Sequence, residues 1–270
     1  MTLVLGGTGK TGRRVVERLV ARGLPVRVGS RSGEPPFDWE DPATWEPALR
    51  GASAVYVVYS PDLAFPGATE TVRAFVARAA GEGVRRLVLL SGRGEEEAGL
   101  SEETVRGSGL EWTILRASWF FQNFSEDYLL DPVLAGEVAF PAGDVLEPFV
   151  DADDIADVAV AALTEDRHVG ELYELTGPRL LTFADAAAEI SEATGRRIRY
   201  VPVSPEEYEE AMVGHGVPAE YAKQLTVLFG TVLDGRNAHL ADGVRRALGR
   251  EPRDFTRYAR ETAATGVWDG

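Results

Sequence analysis

The chain has 270 residues, 44% of them hydrophobic, a formal net charge of −15 and no cysteine. This length and apolar content bury a substantial core and suit one large α/β domain or one domain with a smaller appendage, and the lack of cysteine excludes disulfides, thiolate nucleophiles and thiolate metal sites. The acidic balance repels phosphate backbones and no basic, aromatic-interleaved stripe offsets it, which disfavours direct nucleic-acid binding, while His168, His215 and His239 stand too far apart for metal-ligand spacing.

In chain order, Thr2–Leu5 reads as a strand, and Val15, Val16, Leu19 and Val20 then line one face of a helix that Gly23 and Pro25 end. Strands are expected at Val26–Gly29, Ala54–Tyr59, Arg86–Leu90 and Trp112–Leu115. Between them, Asp41 can cap a turn with Pro42 at its first position, Ala68–Gly81 reads as a helix, and Ser101 can cap a helical stretch to Ser108. Strand–helix alternation at this spacing predicts a parallel sheet wound on both faces, with ligands beyond the carboxyl ends of the strands.

After Arg116 the character changes. "EVAFPAGDVLEPFV" (137–150) reads as two short strands around a Pro-Ala-Gly-Asp turn, followed by a helix from Asp154 to Leu163. A strand at Leu172–Leu175, a helix from Thr182 to Thr194 ended by Gly195, a strand at Ile198–Val203 and mostly helical structure over 205–265 follow. The second half is expected to form a smaller lobe, with the interlobe cleft as the default ligand site. No apolar run approaches the roughly 20 residues that span a bilayer, and the first residues enter an apolar strand without a basic leader, so no membrane partner and a cytoplasmic location are expected.

"LVLGGTGKTGRRV" (3–15) carries two readings. Gly9-Lys10-Thr11 is how a P-loop ends, but a P-loop needs a glycine five residues before that glycine, and position 4 is Val4, inside the strand. Nor do the third and fourth strands, ending at Tyr59-Ser60 and Ser91, finish on a Walker-B aspartate. The dinucleotide reading fits: Gly6 allows the tight turn, Gly9 lets backbone approach a pyrophosphate, and Gly12 permits close helix–strand packing, with the helix N-terminus facing the anion. A site that prefers NAD carries Asp or Glu roughly 20 residues further on, for the ribose 2′-hydroxyl. Here Ser30-Arg31 occupies that place. Arg31 can pair with a 2′-phosphate, Ser30 can donate to it and Lys10 adds a second positive charge, so NADP(H) is the expected cofactor.

With GGTGKTGRRV (6–15), VRVGSR (26–31), SGLEWTILRASWFFQNF (108–124), FVDADDIADVAVAAL (149–163) and ELYELTGPRLLTFADAAAEISEATGRRIRYVPV (171–203), nearly the whole chain resembles the NmrA-like branch of the atypical short-chain dehydrogenases/reductases, which includes type 2 quinone oxidoreductases. The resemblance implies a Rossmann NADP(H)-binding core over 1–116, completed by 145–176, and a smaller C-terminal α/β substrate lobe over 117–144 and 177–270. It implies that Gly6, Thr8, Gly9, Lys10, Thr11 and Gly12 contact the pyrophosphate, that Arg31 contacts the 2′-phosphate and that Asp38 lies near the adenine. It also implies that Val58, Tyr59 and Ser60 flank the ribose, that Ser91 ends the fourth strand beside the site, and that Ala117, Ser118, Trp119 and Phe120 cross beside the nicotinamide. The chain departs from the family in carrying Ala117 where a proline usually follows Arg116.

Ordinary short-chain dehydrogenases use Tyr-x-x-x-Lys to exchange a proton with the substrate oxygen. The lysines here are Lys10 and Lys223, and neither has a tyrosine four residues earlier. A quinone needs less acid assistance than a ketone, so positioning against a nicotinamide can supply much of the rate. Candidate proton donors are Ser91, Tyr59, Gln122 and Asn123, with Tyr128 and His215 as secondary candidates; the expected substrate pocket is Trp119, Phe120, Gln122, Asn123 and Tyr128, suited to an aromatic or quinonoid small molecule. Asp153 or Asp154 of "DADD" is read as a helix cap rather than a metal ligand, and Glu95–Glu97 and Glu206–Glu210 as solvated faces. Two functions stay open: an NADPH-dependent oxidoreductase acting on a quinone or other conjugated carbonyl, or a redox sensor that binds NADP(H) and acts through a protein partner. A monomer or homodimer is expected.

Overall fold

The computed structural model describes residues 1–270. The first half runs β1 (Thr2–Leu5), α1 (Lys10–Ala21), β2 (Val26–Gly29), α2 (Trp45–Leu49), β3 (Ala54–Val57), α3 (Ala68–Gly81), β4 (Arg86–Gly92), α4 (Glu96–Arg106) and β5 (Glu111–Ala117). It continues through α5 (Asn123–Glu126), α6 (Leu130–Ala135), β6 (Glu137–Phe140), α7 (Ala152–Thr164), β7 (Glu171–Leu175), α8 (Phe183–Thr194) and β8 (Arg199–Pro202). Four helices close the chain: α9 (Pro205–Gly214), α10 (Ala219–Val232), α11 (Gly243–Leu248) and α12 (Phe255–Ala263). Contacts divide it into one unit of Met1–Ala117, Ala152–Leu175 and Asp242–Arg250 and a second of Ser118–Asp151, Thr176–Ala241 and Glu251–Gly270.

The first unit is a six-stranded parallel sheet in the order β2-β1-β3-β4-β5-β7, a Rossmann arrangement. The interiors of β1, β3 and β4 read as unbroken apolar runs because helices cover both faces. Leu3, Leu5, Val55, Val57, Leu87 and Leu89 share one core with Trp45, Val72, Phe75 and Val105 from α2, α3 and α4, and α1 and α7 pack together on the opposite face. The order reverses between β1 and β3, which opens the crevice at their carboxyl ends where such sheets bind ligands.

Two details of the first unit differ from expectation. The helix after β4 begins at Glu96 rather than at Ser101, which lies in mid-helix and is fully buried; Ala98, Ser101, Glu102 and Val105 make the i, i+3, i+4, i+7 stripe that faces the core. Residues 242–250, expected in the second lobe, belong to the first unit because α11 packs on α7 and β7, with Gly243 so close to the Glu174 backbone that a side chain would overlap it.

The second unit is built around aromatics: Phe121, Phe124, Phe140, Phe149, Phe183, Phe255 and Trp268 are all fully buried. Thr182 and Asp185 form a capping box that starts α8, Gly195 ends it in the left-handed conformation, and Ser204 with Glu207 caps α9 the same way. The expected hairpin over 137–150 does not form. β6 pairs in parallel with β8, while the following backbone is claimed elsewhere: Glu147 exchanges hydrogen bonds with Leu181, and Val150 bonds to Trp119 and Phe121. Those bonds also explain why 145–151 group with the second unit rather than the first.

Candidate functional site

The turn between β1 and α1 is built by contact between glycines. Gly6 has φ +60, and a Cβ on Gly12 would overlap the Gly6 carbonyl, so the start of the helix lies directly against the end of the strand. The Gly9 amide is spent closing the turn on the Gly6 carbonyl at 2.8 Å. Gly9 is also the N-cap of α1, which has no side-chain cap and no acidic residue in its first turn. The amides of Thr11 and Gly12 therefore point out of the helix N-terminus without intrahelical acceptors, and the positive end of the helix dipole faces the same way. A pyrophosphate fits this cradle, with Thr8 and Gly9 exposed at its edge and Lys10 half-buried beside it. The Lys10 carbonyl accepts from Arg14 at 2.8 Å, and Arg14 pairs with Asp153 at 3.2 Å, so α7 steadies the first turn of α1.

Past β2, Ser30 is half-buried and Arg31 exposed. The Ser30 carbonyl takes the amides of Gly33 at 3.0 Å and Phe37 at 2.9 Å, which curls the loop around it. Asp38 shapes its own turn, one carboxylate oxygen accepting the Glu40 amide at 3.0 Å. Next to it, Trp39 donates from its indole to the Val58 carbonyl at 3.0 Å, and its ring lies 5.1 Å from that of Tyr59. Trp39 thus ties the loop after β2 to the loop after β3, a role the sequence does not reveal because the partner is a backbone atom on a distant strand. Val58 itself packs against Gly6, 3.4 Å from where a Cβ would stand. Tyr59 is half-buried and Ser60 exposed.

At the end of β4, Ser91 is buried and donates to Glu102 at 2.8 Å. Arg116 grips both oxygens of that carboxylate at 2.7 Å, reaches Glu174 at 3.6 Å, and Glu174 in turn pairs with Arg93 at 3.1 Å. The network crosses the carboxyl ends of β4, β5 and β7. Glu102 was legible in principle, as a lone carboxylate on the apolar stripe of α4.

Glu95 corrects the reading of 95–97 as a wholly solvated run. Glu96 and Glu97 are exposed, but Glu95 is half-buried, its carboxyl lying where a side chain on residue 92 would be, a space that exists because residue 92 is glycine. It hydrogen-bonds with Asp62 from the loop after β3. Burial, then repulsion from Asp62, Glu97 and Glu102, pushes the Glu95 carboxyl up to about 9, and burial also raises Asp62.

The "DADD" carboxylates are not caps at 153 and 154. Both residues lie inside the first turn of α7 and are held by arginines, Asp153 by Arg14 and Arg18, and Asp154 by Arg250 at 2.7 Å. Arg18 and Arg250 also share Asp157, each at 2.6 Å. Ion pairing across helices claims these carboxylates more strongly than a local amide would.

Ala117, at the end of β5, is buried. In the second unit, Ser118 is buried, and Gln122, only 2% exposed, donates to Asp151 at 2.8 Å. Asn123 is buried as well, and its backbone N–H donates to the Phe120 carbonyl at 3.2 Å. Neither amide side chain is presented as a proton donor at a surface. The three consecutive aromatics divide. Phe121 enters the core against Phe255 at 4.9 Å, Phe120 is half-buried, and Trp119 meets Phe140, Phe183 and Phe229 at 5.7, 5.7 and 5.3 Å. Tyr128 stacks over Phe140 and Phe229 and remains 38% exposed, so one face of this aromatic cluster reaches solvent. His215 caps the end of α9, its ring on the Ala211 carbonyl. No helix is long and apolar enough to cross a membrane.

Residues 6–166 match the NAD(P)H-binding family and residues 100–257 the NmrA-like family. The chain is 34% identical to the uncharacterized oxidoreductase YesF of Bacillus subtilis, covering 98% of this chain and 97% of that protein. It is 33% identical to the NAD(P)H azoreductase of Xenophilus azovorans, covering 98% of both. Among solved structures, the NADPH-dependent quinone oxidoreductase of Escherichia coli, complexed with NADPH, superposes with a TM-score of 0.80 at 21% identity over 97% of this chain and 99% of that one.

Proposed function

The chain belongs to the NmrA-like family and carries its NAD(P)H-binding region, and from that premise we propose that it is an NADPH-dependent oxidoreductase whose acceptor is a quinone or another conjugated carbonyl. The observation that carries the reading is the carboxyl edge of the first unit's sheet, where the uncapped N-terminus of α1, the exposed Arg31 and the Trp39–Tyr59 contact lie on consecutive loops. The glycine cradle holds the pyrophosphate, and Arg31 with Ser30 takes the 2′-phosphate that distinguishes NADPH from NADH. When bound, the cofactor supplies a hydride to the acceptor. The relatives named as an NAD(P)H azoreductase and an oxidoreductase support redox catalysis. Trp119 and the exposed face of Tyr128 provide flat apolar surface suited to a conjugated ring system.

The absence of Tyr-x-x-x-Lys favours the second reading, a sensor that binds NADP(H) and signals to a protein partner. NADPH consumption followed by absorbance separates the two, using benzoquinones, naphthoquinones and enones against a protein-free blank. Acceptor-dependent turnover is expected. A flat trace across the panel, with NADPH bound, would overturn the enzyme reading in favour of the sensor.

A further inference from the structure

The geometry points to Glu95, hydrogen-bonded to Asp62, as the acid that protonates the reduced acceptor in place of the missing tyrosine. This assignment rests on the carbonyl-reductase reading above. Reduction of a conjugated carbonyl by a hydride leaves the electron pair on oxygen, and that oxygen needs one proton to become a hydroxyl. Four of the other donors expected from the sequence, Ser91, Gln122, Asn123 and His215, are buried or committed elsewhere. The Ser91 hydroxyl is buried and already donates to Glu102, whose two oxygens Arg116 also grips. Gln122 and Asn123 are buried amides, and His215 caps α9.

Glu95 stands at the right edge of the sheet. Asp62 follows β3 and Glu95 follows β4, neighbouring parallel strands on the carboxyl edge of the sheet, and β3 also borders the crevice that opens between β1 and β3. The absence of a side chain on Gly92 admits the Glu95 carboxyl against the end of β4, one residue beyond Ser91. Asp62 is anchored from the other side, one of its oxygens accepting the Ala64 amide at 2.8 Å. Two carboxyls this close share a proton rather than both ionising. Asp62, Glu97 and Glu102 all face Glu95 with negative charge, and the Arg116 guanidinium is occupied by Glu102 and Glu174. At neutral pH the pair therefore holds a proton, with Glu95 pushed up to about 9. In the step, the Glu95 O–H bond breaks as the O–H bond of the product forms, and the resulting carboxylate recovers its proton from water.

Two measurements test this. In the ligand-free protein, carbon-13 NMR of labelled glutamate carboxyls, with Glu95→Gln identifying the resonance, is expected to show Glu95 protonated at pH 7 and titrating near 9; a carboxylate already ionised at pH 7 overturns the assignment. In steady state, Glu95→Gln is expected to lower kcat on a benzoquinone about 100-fold or more with NADPH affinity kept, and to abolish the loss of rate at alkaline pH. Asp62→Asn, which removes the nearest repulsion, is expected to move that alkaline loss to lower pH. If the wild type turns over and Glu95→Gln keeps both rate and alkaline limb, Glu95 is not the donor. If the wild type reduces no carbonyl acceptor at all, the reaction itself is wrong and the role falls with it.

Discussion

Ser91 donates to Glu102 at 2.8 Å while Arg116 clamps the same carboxylate through two bonds of 2.7 Å, so the end of β4 is tied to α4 and β5 through one buried charge. Replacing Glu102 with glutamine keeps the shape and removes the charge that Arg116 needs. A loss of about 2 kcal/mol is expected from the weakened charge-assisted bonds, read as a lower urea midpoint. An unchanged midpoint would mean that solvent already screens Arg116, which is one-third exposed.

Arg31→Asp tests the cofactor assignment. Reversing the charge is expected to weaken NADPH binding by about 10- to 100-fold, the worth of one charge-assisted hydrogen bond, and to leave NADH binding nearly unaltered. Nucleotide fluorescence titrations measure both. Equal losses would remove Arg31 from the 2′-phosphate.

Gly12→Ala places a methyl group against the Gly6 carbonyl. The strand and helix must separate, at about 1–3 kcal/mol of strain, and the cradle for the pyrophosphate opens with them. Loss of binding to NADPH and NADH alike is expected, in contrast to the selective effect at Arg31. Retention of full affinity for both would show that the close approach is not needed.

Stability should respond to pH with opposite signs at two places. Burial alone would raise the Asp153 carboxyl, but its bonds to Arg18 and Arg14 override this and hold it below the usual range. That contribution is present above the unfolded-state pKa, about 3.9, and is lost as pH falls through the lower folded value. Asp153→Asn should therefore lower the urea midpoint at pH 7 and have progressively less effect in acid. Glu95 has a folded value raised to about 9, so its contribution is greatest in acid and declines between the unfolded value, about 4.3, and about 9. Glu95→Gln should flatten that decline, and a midpoint with unaltered pH dependence in both variants would contradict the two assignments.

The local chemistry of the chain determined much of the architecture. The apolar runs at 3–5, 54–57 and 87–89 had no solvated face to alternate with, which marks strands covered on both sides. Glycine spacing at 6, 9 and 12 defined the dinucleotide turn because only glycine allows Gly12 to sit against Gly6. The missing Tyr-x-x-x-Lys was equally visible. Tertiary structure decided what became of the polar groups. Nothing local distinguishes Glu95 from Glu96 and Glu97, or assigns Asp153 to Arg14 and Arg18 rather than to a helix cap, because those outcomes depend on partners 33 and 139 residues away. The segment 145–150 likewise lost its hairpin to partners near 120 and 181. A turn is specified by its own backbone conformations, whereas the state of a carboxyl is set by the charges and the water left around it after distant segments pack.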